Sequence, residues 1–190
     1  MVAHSDANDA NDAAGPAKTK EAIKALKAHY CQWLDAQDWD RWSALFIEDA
    51  TIQVGPRADS AVRGRRAIRR LLTTQLRGAK TLHQVREPEI HEEGPGQVRV
   101  LWPMTDRVAT PLYLLEGAGF YEDRYVRTDD GWKIASVRLH RSKVDLQAKS
   151  FLMRAILWMH RNGWLKRVSN SADRTLAEAL YVGLAEAKRP

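Results

Sequence analysis

The sequence predicts an α+β domain, and three observations lead there. Helical periodicity runs through the first part of the chain, up to about Arg77. From Lys80 onward the apolar period switches to two, the spacing of half-buried strands. Turn signals at Gly94-Pro95-Gly96 and Asp129-Asp130-Gly131 then separate long strand candidates, the pattern of antiparallel hairpins. Helices followed by a run of antiparallel strands place a curved sheet over the helices.

Residues 1–18 are rich in Ala, Asp and Asn and include Gly15-Pro16, so this segment is expected to be disordered. From Thr19 a helix is expected, with Ile23, Leu26, Tyr30, Trp33 and Leu34 on one face. A second, short helix spans 38–46. Asp38 is its N-cap, and Trp39, Trp42 and Phe46 form its apolar side. Residues 48–54 read as a strand ended by Gly55-Pro56. A third helix runs over 65–77, with Ile68, Leu71, Leu72 and Leu76 buried and Gly78 closing it. Strands are expected over 80–91, 97–109, 113–127 and 132–144. Pro103 inside its strand points to an edge or a bulge. The domain is therefore bounded at 19–145. Residues 146–190 form a helical extension whose apolar faces need a partner, either the mouth of the domain or another subunit.

The chain has 190 residues, 44% of them apolar, with seven Trp and a net charge of +6. That is enough for one sizeable core. The single cysteine, Cys31, excludes an intrachain disulfide framework. No apolar run approaches the roughly 20 residues of a membrane span, and the start lacks the order of a secretory signal. The expected compartment is the cytoplasm. Arg63, Arg65, Arg66, Arg69, Arg70 and Arg77 have the spacing of one solvated helix face. No aromatic residue is interleaved among them, so no nucleic-acid partner is expected. No His and carboxylate cluster has metal-ligand spacing, and no glycine-rich phosphate loop or nucleophile elbow occurs. No metal site, nucleotide chemistry or serine hydrolysis is expected.

Three ionisable groups stand where patterning expects apolar ones. Val98, Val100, Trp102, Met104 and Asp106 share one strand face. Trp132, Ile134, Ser136 and Arg138 share another, so Arg138 should point where Ile134 points. A buried Asp and a buried Arg also form a structural ion pair in many cores. Asp35 is less simply placed, because residues five apart on a helix are separated by ~140°. It does not share a face with Tyr30 unless the helix ends there. Tyr30 by its position is a core tyrosine. His83, in Thr81-Leu82-His83-Gln84-Val85, is the one imidazole whose surroundings suggest a task.

The chain resembles the SnoaL-like branch of the NTF2-like superfamily. The similarity lies in Ile23 to Tyr30, Asp35, Asp38-Trp39, Glu48-Asp49-Ala50, Gly64 with Ala67-Ile68, and His83 with Pro88-Glu89-Ile90. The most specific block is Gly119 to Tyr125 followed by Asp130-Gly131-Trp132-Lys133-Ile134. The resemblance covers about residues 20–145. It implies an NTF2-like cone, three N-terminal helices packed in a strongly curved, mostly antiparallel sheet. Within the branch the pattern is closest to bile acid 7α-dehydratase and, more distantly, to scytalone dehydratase. That similarity implies a catalytic set of Tyr30, Asp35, His83, Asp106 and Arg138, working without a cofactor.

The implied reaction removes water from a hydrophobic, steroid-like or polycyclic, hydroxy-carbonyl compound. His83 would be the general base, oriented by Asp35, with Tyr30 donating to the enolate oxygen. Asp106 would assist the leaving hydroxyl, and Arg138 would hold Asp106 or an oxyanion. The same cavity also suits ketosteroid-type isomerisation or polyketide cyclisation. Two non-catalytic alternatives stay open: a small subunit of the ring-hydroxylating dioxygenase type and a carrier of a hydrophobic ligand. The architecture implies a homodimer or homotrimer.

Overall fold

The computed structural model describes residues 6–54 and 60–151, with Arg154, Ala155 and Trp158 beyond them. Helix α1 spans Asp6–Asp35, α2 Trp39–Ala44 and α3 Arg65–Gln75. The strands are β1 Phe46–Gln53, β2 Val62–Arg63, β3 Lys80–Val85, β4 Glu89–Gly94, β5 Gln97–Ala109, β6 Tyr113–Thr128 and β7 Gly131–Ala148. They form one sheet in the order β2-β1-β7-β6-β5-β3, with β4 also paired to β5. Only β1 with β7 is parallel; every other pair is antiparallel. The helices pack against a curled, unclosed sheet, the α+β cone arrangement the sequence led us to expect.

Helix α1 starts at Asp6, upstream of the expected Thr19, so it overlaps the segment expected to be disordered. Residues 1–5 of that segment lie outside the described residues. The apolar face of α1 is as expected: Ile23, Leu26, Tyr30 and Leu34 are buried, with Trp33 half-buried beside them. Asp38 caps α2 by accepting the Arg41 amide at 3.1 Å. Phe46 begins β1 rather than ending α2, and its ring packs at a tilt against Trp42 with ring centroids 4.8 Å apart. Ile68 and Leu72 carry the buried side of α3. Its arginines pair outward, Arg65 with Glu48 at 2.6 Å and Arg69 with Asp40 at 2.5 Å. Exposed pairs of this kind contribute little, about 0–1 kcal/mol each, and they are what a solvated basic face looks like.

Two expectations are corrected. The single strand expected over 80–91 is two, β3 and β4, separated at Arg86-Glu87-Pro88. Both pair with β5, Val85 opposite Met104 and Glu89 opposite Leu101. That break explains Pro103, which lies in an interior strand rather than at an edge. The Pro103 carbonyl accepts the Arg86 amide at 2.9 Å, so its N–H-less side faces the break. A proline is tolerated there because no ladder bond is lost. Lys20 and Lys24 of α1 hold Glu87 in the same break, each at 2.9 Å.

Strand β7 runs to Ala148, past the expected end at Val144. It carries two bulges against β6. Arg124 pairs with Ser136 but Tyr125 with Ile134, leaving Ala135 unpaired. Ala118 pairs with Lys143 but Gly119 with Arg141, leaving Ser142 unpaired. Each extra residue reverses which side chains face inward. Beyond β7, Phe151, Arg154, Ala155 and Trp158 are helical, and the second helix expected in the extension lies outside the described residues.

Candidate active site

Asp35 is the last residue of α1, and the chain turns sharply after it. Gln37 N–H bonds Leu34 O at 3.1 Å and Asp38 N–H bonds Trp33 O at 2.9 Å, a Schellman ending. This ending resolves the geometry that a straight helix forbids. Tyr30 points into the core, while Asp35 leans off the helix end toward β3. There its carboxylate accepts three hydrogen bonds. They come from the Thr81 hydroxyl at 2.7 Å, the His83 amide at 2.8 Å and His83 Nδ1 at 2.6 Å.

Those bonds set the charge of Asp35 and the tautomer of a neutral His83 ring. Burial alone would push the Asp35 carboxyl up. The bonds from the His83 ring, the His83 amide and Thr81 outweigh it and hold the carboxyl below its ordinary range. A carboxylate only accepts, so Nδ1 of neutral His83 carries the hydrogen and Nε2 keeps the lone pair. Among the described residues Nε2 has no hydrogen bond. The His83 side chain is 7% exposed and that of Asp35 20%.

Across the ladder His83 lies directly opposite Asp106. The alternation of β5 runs unbroken through Pro103, so Val98, Val100, Trp102, Met104 and Asp106 are all buried on one face, as expected. The arginine that meets Asp106 is Arg141, whose guanidinium hydrogen-bonds Oδ2. Arg138 is exposed, and its strand partner Glu122 is also on the outer side of the sheet, bonded to His140. The expected Asp106–Arg138 pairing is therefore corrected to Asp106–Arg141. The cause is the bulge at Ala135: inward positions pass from Ile134 to Val137, Leu139 and Arg141, the reverse of an unbroken period of two.

Room for the Asp106–Arg141 pair comes from Gly117, the β6 neighbour opposite Asp106. A Cβ at Gly117 would overlap Asp106 Oδ1 and lie 3.2 Å from Arg141 Nε. Asp106 is fully buried, whereas the Arg141 side chain stays 17% exposed. The carboxylate thus anchors the guanidinium, and the guanidinium is the group with a free side.

Tyr30 is buried against Trp42, Phe46 and Tyr121, with Tyr121 edge-on at 6.2 Å. No bond joins it to Asp35 or His83. Burial, and then the negative charge of Asp123, pushes its phenol well above the ordinary value, so it stays protonated. Tyr121 is also raised, by burial first and then by Tyr30 and Asp106. The two phenols, edge-on to each other, both stay protonated deep in the core.

Sequence reasoning missed what lies at that deep end. Lys27 and Asp123, both fully buried, form an ion pair at 2.8 Å. Asp123 also accepts the Tyr125 hydroxyl at 2.7 Å, which in turn accepts Trp102 Nε1 at 3.1 Å. The Lys27 ammonium sits over the rings of Tyr121, at 3.8 Å, and Tyr30, at 4.3 Å. A signal existed: Lys27 lies between Ile23 and Tyr30 on the apolar face of α1, where a lone lysine needs a partner. Among the described residues no three His, Cys, Asp or Glu are grouped as a metal ion would need. No described helix is long and apolar enough to cross a membrane.

Comparison with known proteins agrees with this architecture. The SnoaL-like domain model matches residues 16–138. The probable cyclase FGR4 of Gibberella zeae is 22% identical over 128 residues, 60% of this chain and 85% of that protein. A candidate scytalone dehydratase from Novosphingobium aromaticivorans superposes with a TM-score of 0.57 at 22% identity, over 66% of this chain and 85% of its own. A hexachlorocyclohexane dehydrochlorinase from Novosphingobium barchaimii gives 0.61 at 16% identity, over 71% and 94%. At such identities the structures speak for the fold, and the matched domain covers more than half of the chain. The protein belongs to the SnoaL-like domain family.

Proposed function

We propose that this chain is a lyase that eliminates water from a hydrophobic hydroxy-carbonyl compound by acid–base catalysis, without a cofactor. The observation that carries the reading is the double hold of His83 on Asp35. It fixes the ring, supplies a carboxylate for the imidazolium and leaves Nε2 as the base. Nε2 takes the proton beside the carbonyl, and electron density moves onto the carbonyl oxygen. The free side of Arg141 and the protonated phenols of Tyr30 and Tyr121 are the donors available to that oxyanion. The density then returns to form the C=C bond, the C–O bond breaks, and the imidazolium gives its proton to the departing hydroxyl. The products are an unsaturated carbonyl compound and water.

Two roles expected from resemblance change on this reading. Asp106 holds Arg141 rather than the substrate, because its Oδ2 is taken up by the guanidinium. Arg138 has no role. The apolar inner strand faces, with Trp102 and Met104 among them, favour a hydrophobic, steroid-like or polycyclic substrate. Isomerisation or cyclisation begins with the same proton abstraction, so the product decides. Incubation with a panel of polycyclic β-hydroxy ketones, read by mass spectrometry, should show loss of one water from at least one member. Rearrangement without change of mass would establish the isomerase reading instead. A homodimer or homotrimer, checked by light scattering, completes the proposal.

A further inference from the structure

The turn after Asp35 contains the one non-glycine residue with positive φ among the described residues, Gln37 at +55°. This is the left-handed position that closes a Schellman ending, and glycine is its usual occupant because a side chain there costs about 1 kcal/mol. Something must offset that cost. The Gln37 side-chain amide donates both of its hydrogens, to Leu76 O at 3.1 Å and to Ala79 O at 2.8 Å. Those carbonyls belong to the turn between α3 and β3, which is itself tightened by Ala79 N–H on Leu76 O at 3.0 Å. From Ala79 the chain enters β3 directly, and Thr81 and His83 follow.

We propose that Gln37 is a positioning residue for the Asp35–His83 pair, locking the end of α1 to the start of β3. The clamp sits two residues beyond Asp35 on one side and just ahead of Thr81 and His83 on the other. Asp35 must meet three donors at 2.6–2.8 Å at once. Such a meeting tolerates only about half an ångström of slip between the two elements. Packing alone allows a helix end to fray, whereas two hydrogen bonds to a neighbouring turn do not. The proposal rests on the lyase reading only in treating Asp35–His83 as the working pair.

The experiment needs no substrate, so its outcome is separate from that reading. Gln37→Gly suits the backbone but removes the clamp, and Gln37→Asn tolerates the conformation but is too short to span both carbonyls. In the full chain, NMR follows the Asp35 carboxyl titration and hydrogen exchange of the His83 amide. Both variants should fold. The His83 amide should exchange about tenfold faster while Val100 in the core keeps its protection. The Asp35 carboxyl should titrate higher, toward the ordinary value of about 3.9. A lower thermal midpoint with both His83 and Asp35 readouts unchanged would reduce Gln37 to a purely structural role and overturn the proposal. A Gln37→Gly chain that cannot fold would also contradict it, since glycine suits that turn.

Discussion

Asp35 binds His83 twice, once through the backbone amide at 2.8 Å and once through ring nitrogen Nδ1 at 2.6 Å. The double hold orients the imidazole and makes the carboxylate part of the folding equilibrium. Because the Asp35 carboxyl lies below its ordinary value when folded, the stability it contributes is fully present above the unfolded value of about 3.9. It is lost as pH falls through the folded value. Urea unfolding of Asp35→Asn should accordingly lose less stability than the parent chain between about pH 4 and more acidic conditions. Equal losses in the two proteins would show that Asp35 does not carry this linkage.

The pairing of Asp106 with Arg141 separates two arginines three positions apart. Arg138→Ala should leave stability within about 0.5 kcal/mol and turnover unchanged. Arg141→Ala should cut turnover by about 10²–10³, the cost of removing one oxyanion donor. The pair of variants, assayed side by side, checks the inward assignment: loss on Arg138→Ala with none on Arg141→Ala would reverse it.

Lys27 and Asp123 are both sealed from solvent, so neither can lose its partner cheaply. Lys27→Met should destabilise by about 3–5 kcal/mol, because Asp123 remains as an uncompensated buried charge. Combining it with Asp123→Leu should recover a large part of that loss. Denaturant unfolding of the two singles and the double reads the coupling directly. Additive losses would mean that the two charges do not act as a pair.

Gly117 gives the test of space beside the site. A methyl group there meets Asp106 Oδ1 and approaches Arg141 Nε to 3.2 Å. Gly117→Ala should cost about 1–3 kcal/mol by overpacking and lower turnover, both by displacing the guanidinium. Thermal unfolding and turnover, measured on the same sample, should fall together.

Much of this architecture is legible in residue order. The helix faces, the long strands and the burial of Asp106 follow from periodicity, since each depends on neighbours in sequence. Asp35 and His83 could be named as partners from resemblance, but the geometry that joins them comes from a helix ending. That ending depends on a non-glycine residue in a left-handed turn, which composition does not announce. Arg138 was misplaced because a period-two reading cannot see the unpaired Ala135, and that extra residue turns the following side chains around as far as the second bulge at Ser142. Lys27 and Asp123 lie 96 positions apart, and nothing local marks either as the other's partner. Pro103 signalled an irregularity correctly, but the irregularity belongs to the neighbouring strand rather than its own.

The central claim is that His83, oriented by Asp35, moves the proton. The most direct measurement is turnover by His83→Ala on whichever hydroxy ketone the parent chain dehydrates, with folding checked by circular dichroism. The account predicts an intact fold and a fall in kcat of at least about 10²-fold, the usual scale of general acid–base catalysis. A folded His83→Ala protein that dehydrates the same substrate at the parent's rate would contradict it.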